Sequence, residues 1–272
     1  MTVVVFGIII NGLAWYIIKE ASDLDRTEVI VIGEGGGLLS TAGKKSCSAI
    51  LVRTPAYRAL FDCGYGTLGR MNILGISPTE LTALFITHSH FDHIYDGPAV
   101  VMARDFIGKR DGLDLPPLDI YGPVGIERDF WGCQGILGAP GYKPNTRFFE
   151  DEKDFGSVIT VKVEHYNGLQ SIAIMLRDGC SVVCTGDLKN CEHNFEALQQ
   201  LPGGAGLLIT EATGQNNGHF DTAAALKLQE LRRDRYMLLG HWRDSELAAA
   251  TAAATAGGGR IVVAKDGLKF RI

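Results

Sequence analysis

Apolar runs rich in valine, isoleucine and leucine recur along the chain, and polar or glycine-containing segments separate them. Short runs of this kind are typical of strands buried in a sheet. The last two runs flank Asp266-Gly267, a dipeptide that favours a tight hairpin. We therefore predict strands within residues 28–33, 48–53, 57–62, 83–86, 116–123, 157–165, 171–176, 180–187, 204–213 and 235–241, and a hairpin over 260–272.

Helical segments follow the strands in both halves of the chain. Asp221 is placed to cap one helix, Gly257 to stop an alanine-rich one, and Ser77–Glu80 has the form of a capping box. Strands followed by helices favour an α/β fold in which two sheets pack face to face with helices outside. We expect helices over 97–107, 221–233 and 244–256, a short helix after Ser77, and an irregular surface segment over 131–157.

The N-terminal segment has a different composition. Residues 1–18 carry no charged side chain. The segment is close in length to the ~20 apolar residues of a membrane-spanning helix. Trp15 and Tyr16 suit a membrane interface. We therefore interpret residues 1–18 as a membrane anchor of undetermined orientation, 19–27 as a polar connector and 28–272 as one domain. The alternatives are an apolar strand or helix packed on that domain, a signal-like segment, or a misplaced start codon. Without an anchor the protein is expected in the cytoplasm.

Charge and cysteine content exclude some classes of protein. The net charge is −5, which argues against an extended nucleic-acid surface. The six cysteines include no CxxC pair, so the sequence has no zinc-finger spacing. These properties leave room for a local basic patch, and we expect the cysteines to be buried free thiols.

A dense cluster of histidine and aspartate follows the apolar run 83–86. His88, His90, Asp92 and His93 form the pattern HxHxDH, and imidazole and carboxylate are the natural ligands of zinc and similar ions. Ligands commonly collect at the ends of strands in α/β proteins. We therefore predict two divalent metal ions, Zn²⁺ in the first instance with Mn²⁺ and Fe²⁺ as alternatives. Further candidate ligands that each follow another apolar run are His165, Asp187 and His241.

This order of motifs resembles the metallo-β-lactamase superfamily of two-metal hydrolases, from about Glu28 to the C terminus. The resemblance implies a four-layer αβ/βα sandwich of two mixed sheets with outer helices. It also implies that Asp62, in "FDCGYGT", orients a ligand histidine, and that water activated between the two ions attacks the substrate. The implied ligands are His88, His90 and His165 for the first ion, Asp92, His93 and His241 for the second, and Asp187 as the bridge.

The stretch "LLITEATGQNNGHFDTAAA" resembles the ribonuclease Z-like branch, in which a glutamate and a histidine act beside the metals. Glu211 and His219 occupy these positions, and together with Asp92 they are the candidate catalytic residues. A helix-capping or core role is the alternative for His219. His193, the remaining histidine, is expected on the surface.

The chain also departs from ribonuclease Z. That enzyme carries a long arm that grips transfer RNA, but here Asp187 comes only 22 positions after His165, so the arm is missing. Phe91 replaces a small residue inside HxHxDH, and Trp242 follows the last candidate ligand. These two side chains either narrow the entrance towards a small or aromatic-bearing substrate or pack at its rim.

The resulting hypothesis is a hydrolase of phosphodiesters or related phosphate or sulfate esters of small substrates. The first alternative is a lactonase or β-lactamase-like enzyme that attacks a carbonyl. Two others are a ribonuclease Z-type RNA endonuclease and a non-hydrolytic metal-binding or redox module, whose redox form would need iron and a flavin partner. The sequence leaves open whether the chain forms a homodimer.

Overall fold

The structure is a computed structural model. It describes residues 4–10, 13–19, 27–37, 45–132, 142, 144–150, 153–166, 168–214, 218–242 and 245–272. The strands of this part of the chain are β1 (Val4–Ile10), β2 (Leu13–Lys19), β3 (Glu28–Gly33), β4 (Ala49–Arg53), β5 (Arg58–Phe61), β6 (Ala83–Phe85), β7 (Leu118–Gly122), β8 (Thr146–Glu150), β9 (Val158–Val163), β10 (Ser171–Leu176), β11 (Val182–Cys184), β12 (Leu207–Ala212), β13 (Tyr236–Trp242), β14 (Ile261–Val263) and β15 (Lys269–Arg271).

Seven α-helices occur in the same described residues, and a short 3₁₀ turn covers Pro78–Glu80. Ser77 caps that turn by accepting a hydrogen bond from the Thr79 amide, so the predicted capping box yields only one turn of helix. The helices are α1 (Thr67–Ile73), α2 (Phe91–Ile94), α3 (Gly97–Arg110), α4 (Ile126–Trp131), α5 (Glu192–Gln200), α6 (Thr222–Arg232) and α7 (Leu247–Ala256).

The strands form two mixed sheets. The order in the first sheet is β1-β2-β15-β3-β4-β5-β6-β7-β8, and in the second β14-β13-β12-β11-β10-β9. β3, β4 and β5 pair antiparallel, whereas β5, β6, β7 and β8 pair parallel. Strands buried on both faces read as continuous apolar runs, which explains why the sequence predicts most of them.

Three apolar clusters define the layers. Between the sheets, Phe61 and Phe85 of the first sheet belong to the same buried cluster as Ile174 and Leu238 of the second. Outside each sheet, a further cluster joins its other face to the covering helices: α1, α3 and α4 on the first sheet, and α5, α6 and α7 on the second. The predicted four-layer αβ/βα sandwich is therefore confirmed.

The membrane-anchor prediction for residues 1–18 is wrong. β1 and β2 pair antiparallel from Val4 with Lys19 to Ile10 with Leu13, and β2 continues the first sheet by pairing parallel with β15. Across the described residues, no helix is both long and apolar enough to cross a membrane. Valine and isoleucine favour strands, and the hairpin dipeptide Asn11-Gly12 stands between the two runs, so the segment can be read as two strands. Residues 20–26 of the predicted connector lie outside the described residues.

The C-terminal hairpin prediction is also wrong, because the two last strands lie in different sheets. β14 pairs parallel with β13, whereas β15 pairs antiparallel with β3. The Asp266 carboxylate accepts hydrogen bonds from the amides of Glu34 (2.9 Å) and Ser46 (3.1 Å). These long-range bonds fix the turn between the sheets, and local sequence cannot report them.

The segment 131–157, predicted as irregular, contains a strand. β8 pairs parallel with β7 at the edge of the first sheet, with Phe149 stacked on Tyr121 at a centroid distance of 4.7 Å. Its sequence, Thr-Arg-Phe-Phe-Glu, is short and mixes charged with aromatic residues, as edge strands do. Residues 133–141, 143, 151 and 152 of the segment lie outside the described residues.

Candidate metal centre

The polar residues of the site lie at the ends of strands from both sheets. The first sheet supplies Asp62 after β5 and the HxHxDH loop after β6, whose last residues start helix α2 with His90 as its N-cap. The second sheet supplies the later residues of the site: His165 after β9, Asp187 after β11, Glu211 near the end of β12 and His241 near the end of β13. The site is therefore formed where the two sheets meet at one edge of the sandwich.

A first group of ring nitrogens and carboxylate oxygens is formed by His88, His90, His165 and Asp187, whose ligand atoms all lie within 4.8 Å of one another. His88 Nε2 lies 3.0 Å from His90 Nδ1, which is 3.3 Å from His165 Nε2. Asp187 Oδ2 lies 3.7 Å from His165 Nε2. This group contains the residues predicted for the first ion.

A second group is formed by Asp92, His93 and His241. His241 Nε2 lies 3.1 Å from Asp92 Oδ2 and 3.2 Å from His93 Nε2. Asp187 Oδ1 lies 3.4 Å from His93 Nε2 and 3.4 Å from His241 Nδ1. Asp187 therefore lies between the two groups, with one oxygen towards each.

The donor set fits metal ions. Bonds of about 2.0–2.1 Å from a tetrahedral Zn²⁺ place its ligand nitrogens about 3.3–3.4 Å apart, close to the nitrogen separations of 3.0, 3.2 and 3.3 Å in the two groups. The Oδ1 atom of Asp187 is buried and has no hydrogen-bond partner among the described residues. A buried carboxylate oxygen needs a partner, and a cation between the two groups would supply it.

Burial and neighbouring charges shift the pKa values of these groups. Burial opposes ionisation of Asp187, but the charges of His241 and His93 outweigh it and hold the pKa of the carboxyl well below its usual range. Burial lowers the pKa of His165 to about 4. At neutral pH Asp187 is therefore an ionised carboxylate and His165 a neutral imidazole, the forms that bind metal. Burial lowers the pKa values of His93 and His241, but the charge of Asp187 outweighs it and raises both, that of His241 to about 10, so a bound cation would displace a proton from each ring.

Hydrogen bonds hold the rings of the candidate ligands. Asp62 Oδ2 accepts a hydrogen bond from His93 Nδ1 at 2.7 Å, as the resemblance implies. Thr87 Oγ1 lies 3.0 Å from His88 Nδ1, and Thr213 Oγ1 lies 2.9 Å from His241 Nδ1. Each of these bonds engages Nδ1 and leaves Nε2 for the centre of the site. Sequence reasoning missed Thr87 and Thr213, for which only their position at the end of a strand gave a signal.

The glycine-rich loop after β3 closes over the second group. A Cβ on Gly36 would lie 2.6 Å from His241 Cε1, so only glycine allows this approach. The Gly37 amide donates a hydrogen bond of 2.5 Å to Asp92 Oδ2. The loop therefore contacts two candidate ligands, His241 and Asp92, directly.

Glu211 and His219 form a pair beside these groups. His219 Nδ1 lies 2.7 Å from Glu211 Oε2 and 3.6 Å from Asp187 Oδ2. Glu211 Oε1 in turn accepts hydrogen bonds from the backbone amides of Leu188 (2.5 Å) and Phe220 (3.2 Å), so the carboxylate is held on both oxygens. Burial lowers the pKa of His219, but the hydrogen bond and charge of Glu211 outweigh it and raise the pKa.

All nine predicted site residues come together, whereas His193 lies exposed on α5, as expected. The capping residue of α6 is Asp221, which removes the capping alternative for His219. Trp242 is buried and donates its Nε1–H to Ala264 O at 2.9 Å, so it packs in the core and does not narrow the entrance. The roles of the nine residues in metal binding and catalysis stay predictions.

Comparison with curated proteins relates this chain to ribonuclease Z. Residues 42–241 match the metallo-beta-lactamase superfamily. Ribonuclease Z of Methanothermobacter thermautotrophicus is 40% identical over 99 residues, which are 36% of this chain and 30% of the relative. The match therefore spans less than a third of that relative's length.

Solved structures share the fold over nearly the whole chain. The metallo-beta-lactamase fold protein YhfI from Bacillus subtilis superposes with a TM-score of 0.70 at 24% identity, covering 91% of this chain and all of YhfI. A diphosphatase from the PhnP family superposes with a TM-score of 0.65 at 17% identity, covering 89% of this chain and 96% of the diphosphatase. With a superfamily match that covers most of its length, the chain belongs to the metallo-beta-lactamase superfamily.

Proposed function

We propose that this metal-dependent hydrolase uses two divalent ions to cleave phosphodiesters or related phosphate or sulfate esters of small substrates. His88, His90 and His165 would hold one ion, Asp92, His93 and His241 the other, and Asp187 would bridge them. When bound, the ions would supply a water nucleophile at neutral pH and neutralise negative charge on the ester oxygens. The buried Asp187 Oδ1 without a hydrogen-bond partner supports the bridging role.

The observation that carries the proposal is the Glu211–His219 hydrogen bond of 2.7 Å beside Asp187. An alkoxide leaving from phosphorus needs a proton, and a histidine whose pKa is raised by a carboxylate keeps one to donate. His219 would protonate the leaving oxygen through Nε2, while Glu211 fixes the ring by accepting the Nδ1–H. The names of two similar proteins, a ribonuclease Z and a diphosphatase, agree with phosphoryl chemistry.

Lactone or β-lactam hydrolysis is the competing proposal, and a substrate panel separates the two. Zinc-reconstituted protein should hydrolyse bis(4-nitrophenyl) phosphate faster than a lactone or a cephalosporin, with about two ions bound per chain by elemental analysis. A chelator should abolish the activity. Protein that holds two ions and cleaves only the carbonyl substrates would contradict the phosphodiester proposal.

Replacement of His219 tests the proton donor. His219→Ala should keep both ions and lose turnover by about 10²–10⁴, the usual contribution of a positioned acid–base group. The loss should be large for a phosphodiester with an alkyl leaving group and small for an activated aryl ester, whose leaving group needs no proton. His193→Ala, the exposed histidine of α5, is the matched control and should leave turnover unchanged. An unchanged turnover with a lowered melting temperature in His219→Ala would show a structural role instead.

A further inference from the structure

Tyr166 is an exposed aromatic residue beside the first group of candidate ligands. It directly follows His165 at the end of β9, and 57% of its surface is accessible to solvent. Single exposed aromatic residues are common on protein surfaces, so exposure by itself carries no function. The position of this ring relative to the candidate ligands is the informative feature.

Three histidines of the site contact the Tyr166 ring. Its centroid lies 4.7 Å from that of His165, 5.6 Å from His90 and 6.4 Å from His219, and all three pairs are close to perpendicular. Among the described residues, the ring contacts of Tyr166 are with these histidines alone. The ring is therefore fixed by the site itself while more than half of the side chain stays open to solvent.

Another cluster of aromatic residues, exposed or partly exposed, differs in this respect. Tyr65, Phe91 and Tyr95 pack on one another, with centroid distances of 4.3 Å for Phe91–Tyr95 and 5.8 Å for each pair that includes Tyr65. These contacts account for the positions of the three rings without a ligand. In the described part of the chain, Tyr166 has no ring contact with a tyrosine, phenylalanine or tryptophan, and the exposed part of its ring is available to a substrate.

The neighbours of Tyr166 indicate which part of a substrate would reach it. The Tyr166 ring lies beside His219, the proposed proton donor to the leaving oxygen, and also beside His90 and His165, candidate ligands of the first ion. A group attached to the leaving oxygen would extend from His219 into the solvent-exposed space beside Tyr166. Stacking on an aromatic side chain accepts any planar ring, because every such ring presents a π face.

We propose that Tyr166 is a substrate-binding residue that stacks against a planar ring, either a nucleobase or an aryl group, on the leaving-group side of the ester. The inference rests on the proposed phosphoester chemistry and names the class of substrate. It predicts that affinity depends on a ring in the ligand and that this dependence requires the ring of residue 166.

Binding measurements can test the inference without turnover. Calorimetric titration of the zinc-loaded protein would compare two pairs of probes: AMP with ribose 5-phosphate, which differ by the nucleobase, and phenyl phosphate with ethyl phosphate, which differ by the aryl ring. The member with the ring should bind more tightly in at least one pair, and the pair that responds identifies the kind of ring. In Tyr166→Leu that preference should fall by roughly 5- to 100-fold, the range expected for one stacked ring.

Two control variants separate stacking from other effects. Tyr166→Phe keeps the ring and should keep the preference, whereas loss of the preference there would assign it to the hydroxyl and overturn the inference. Phe106→Leu removes an exposed ring from the C-terminal half of α3 and should leave the preference for the ring-containing probe unchanged. Equal affinities within both pairs in the unmodified protein, or a preference that survives in Tyr166→Leu, would also overturn it. Hydrolysis of bis(4-nitrophenyl) phosphate tests the proposed function separately. Protein that hydrolyses this ester but binds both members of each probe pair equally would refute only the role of Tyr166.

Discussion

At the scale of single residues, Asp62 controls which nitrogen of His93 faces the metal centre. Its Oδ2 accepts the Nδ1–H of His93 at 2.7 Å, and its Oδ1 accepts the Thr87 amide at 2.9 Å. In Asp62→Asn the amide NH₂ would face His93 Nδ1 and favour the tautomer that carries its proton on Nε2, which cannot bind metal. We expect the affinity for zinc as the second ion, the one assigned to His93, to fall about 10- to 100-fold. Competition with a chelator measures this affinity.

The choice of asparagine keeps this test specific. Asp62 has a φ of 56°, and asparagine tolerates the left-handed region, so the backbone should fold as before. Asp119→Asn, at a partly exposed carboxylate that pairs with Arg147 on the surface, changes the same charge away from the site and should leave zinc affinity unchanged. Two ions held with unaltered affinity in Asp62→Asn would contradict the proposed role of Asp62.

At the scale of elements, the loop after β3 must pass close to the end of β13. A methyl group at position 36 would meet the His241 ring at 2.6 Å, well inside van der Waals contact. Gly36→Ala should therefore displace His241 and lower the zinc content from about two ions towards one, with a corresponding loss of hydrolysis. Elemental analysis of the folded variant measures this directly.

Gly69 provides the matched control for Gly36. It lies in helix α1, and a Cβ there would meet no atom within 4 Å. Gly69→Ala should keep both ions and stabilise the fold by about 0.4–1 kcal/mol, because alanine restricts the unfolded chain more than glycine does. A Gly36→Ala protein with full zinc content would show that the loop moves freely and does not position His241.

At the scale of the whole molecule, the two sheets supply different parts of one site, and few residues are inserted between two of the site's strands. The 22-residue interval between His165 and Asp187 contains β10 and β11, which form a short antiparallel pair. With a net charge of −5 and no arm in this interval, the protein should cleave precursor transfer RNA poorly. A cleavage assay at submicromolar enzyme measures this.

Hydrolysis of bis(4-nitrophenyl) phosphate by the same preparation is the control, because it shows that the protein is active. Specific, salt-sensitive cleavage of the transfer RNA at submicromolar enzyme would contradict the prediction. Such a result would place RNA binding on a surface that the overall charge does not reveal.

Local sequence patterns predicted most of the strands and brought out the candidate residues of the site. Each candidate ligand follows an apolar run, and such runs specify both a buried strand and the point where it ends. The HxHxDH motif is contiguous in the sequence, so it could be recognised as a candidate metal-binding motif without knowledge of the fold. The same reasoning failed for residues 1–18, because an uncharged apolar stretch suits a spanning helix as well as two sheet strands, and for 260–272, because an Asp-Gly turn does not reveal which sheet each strand joins.

The way in which distant segments meet could not be read from the sequence and became apparent in the folded chain. Thr213 beside His241, Gly36 against the same ring and Asp266 on the amide of Glu34 are contacts between elements far apart in the chain. Their geometry depends on the packing of one sheet on the other, which no local pattern encodes. The exposed ring of Tyr166 is a further example, since a tyrosine after a strand becomes informative only when His90 and His219 lie beside it. Local pattern fixes where strands begin and end, whereas the packing of the sheets fixes which side chains share a site.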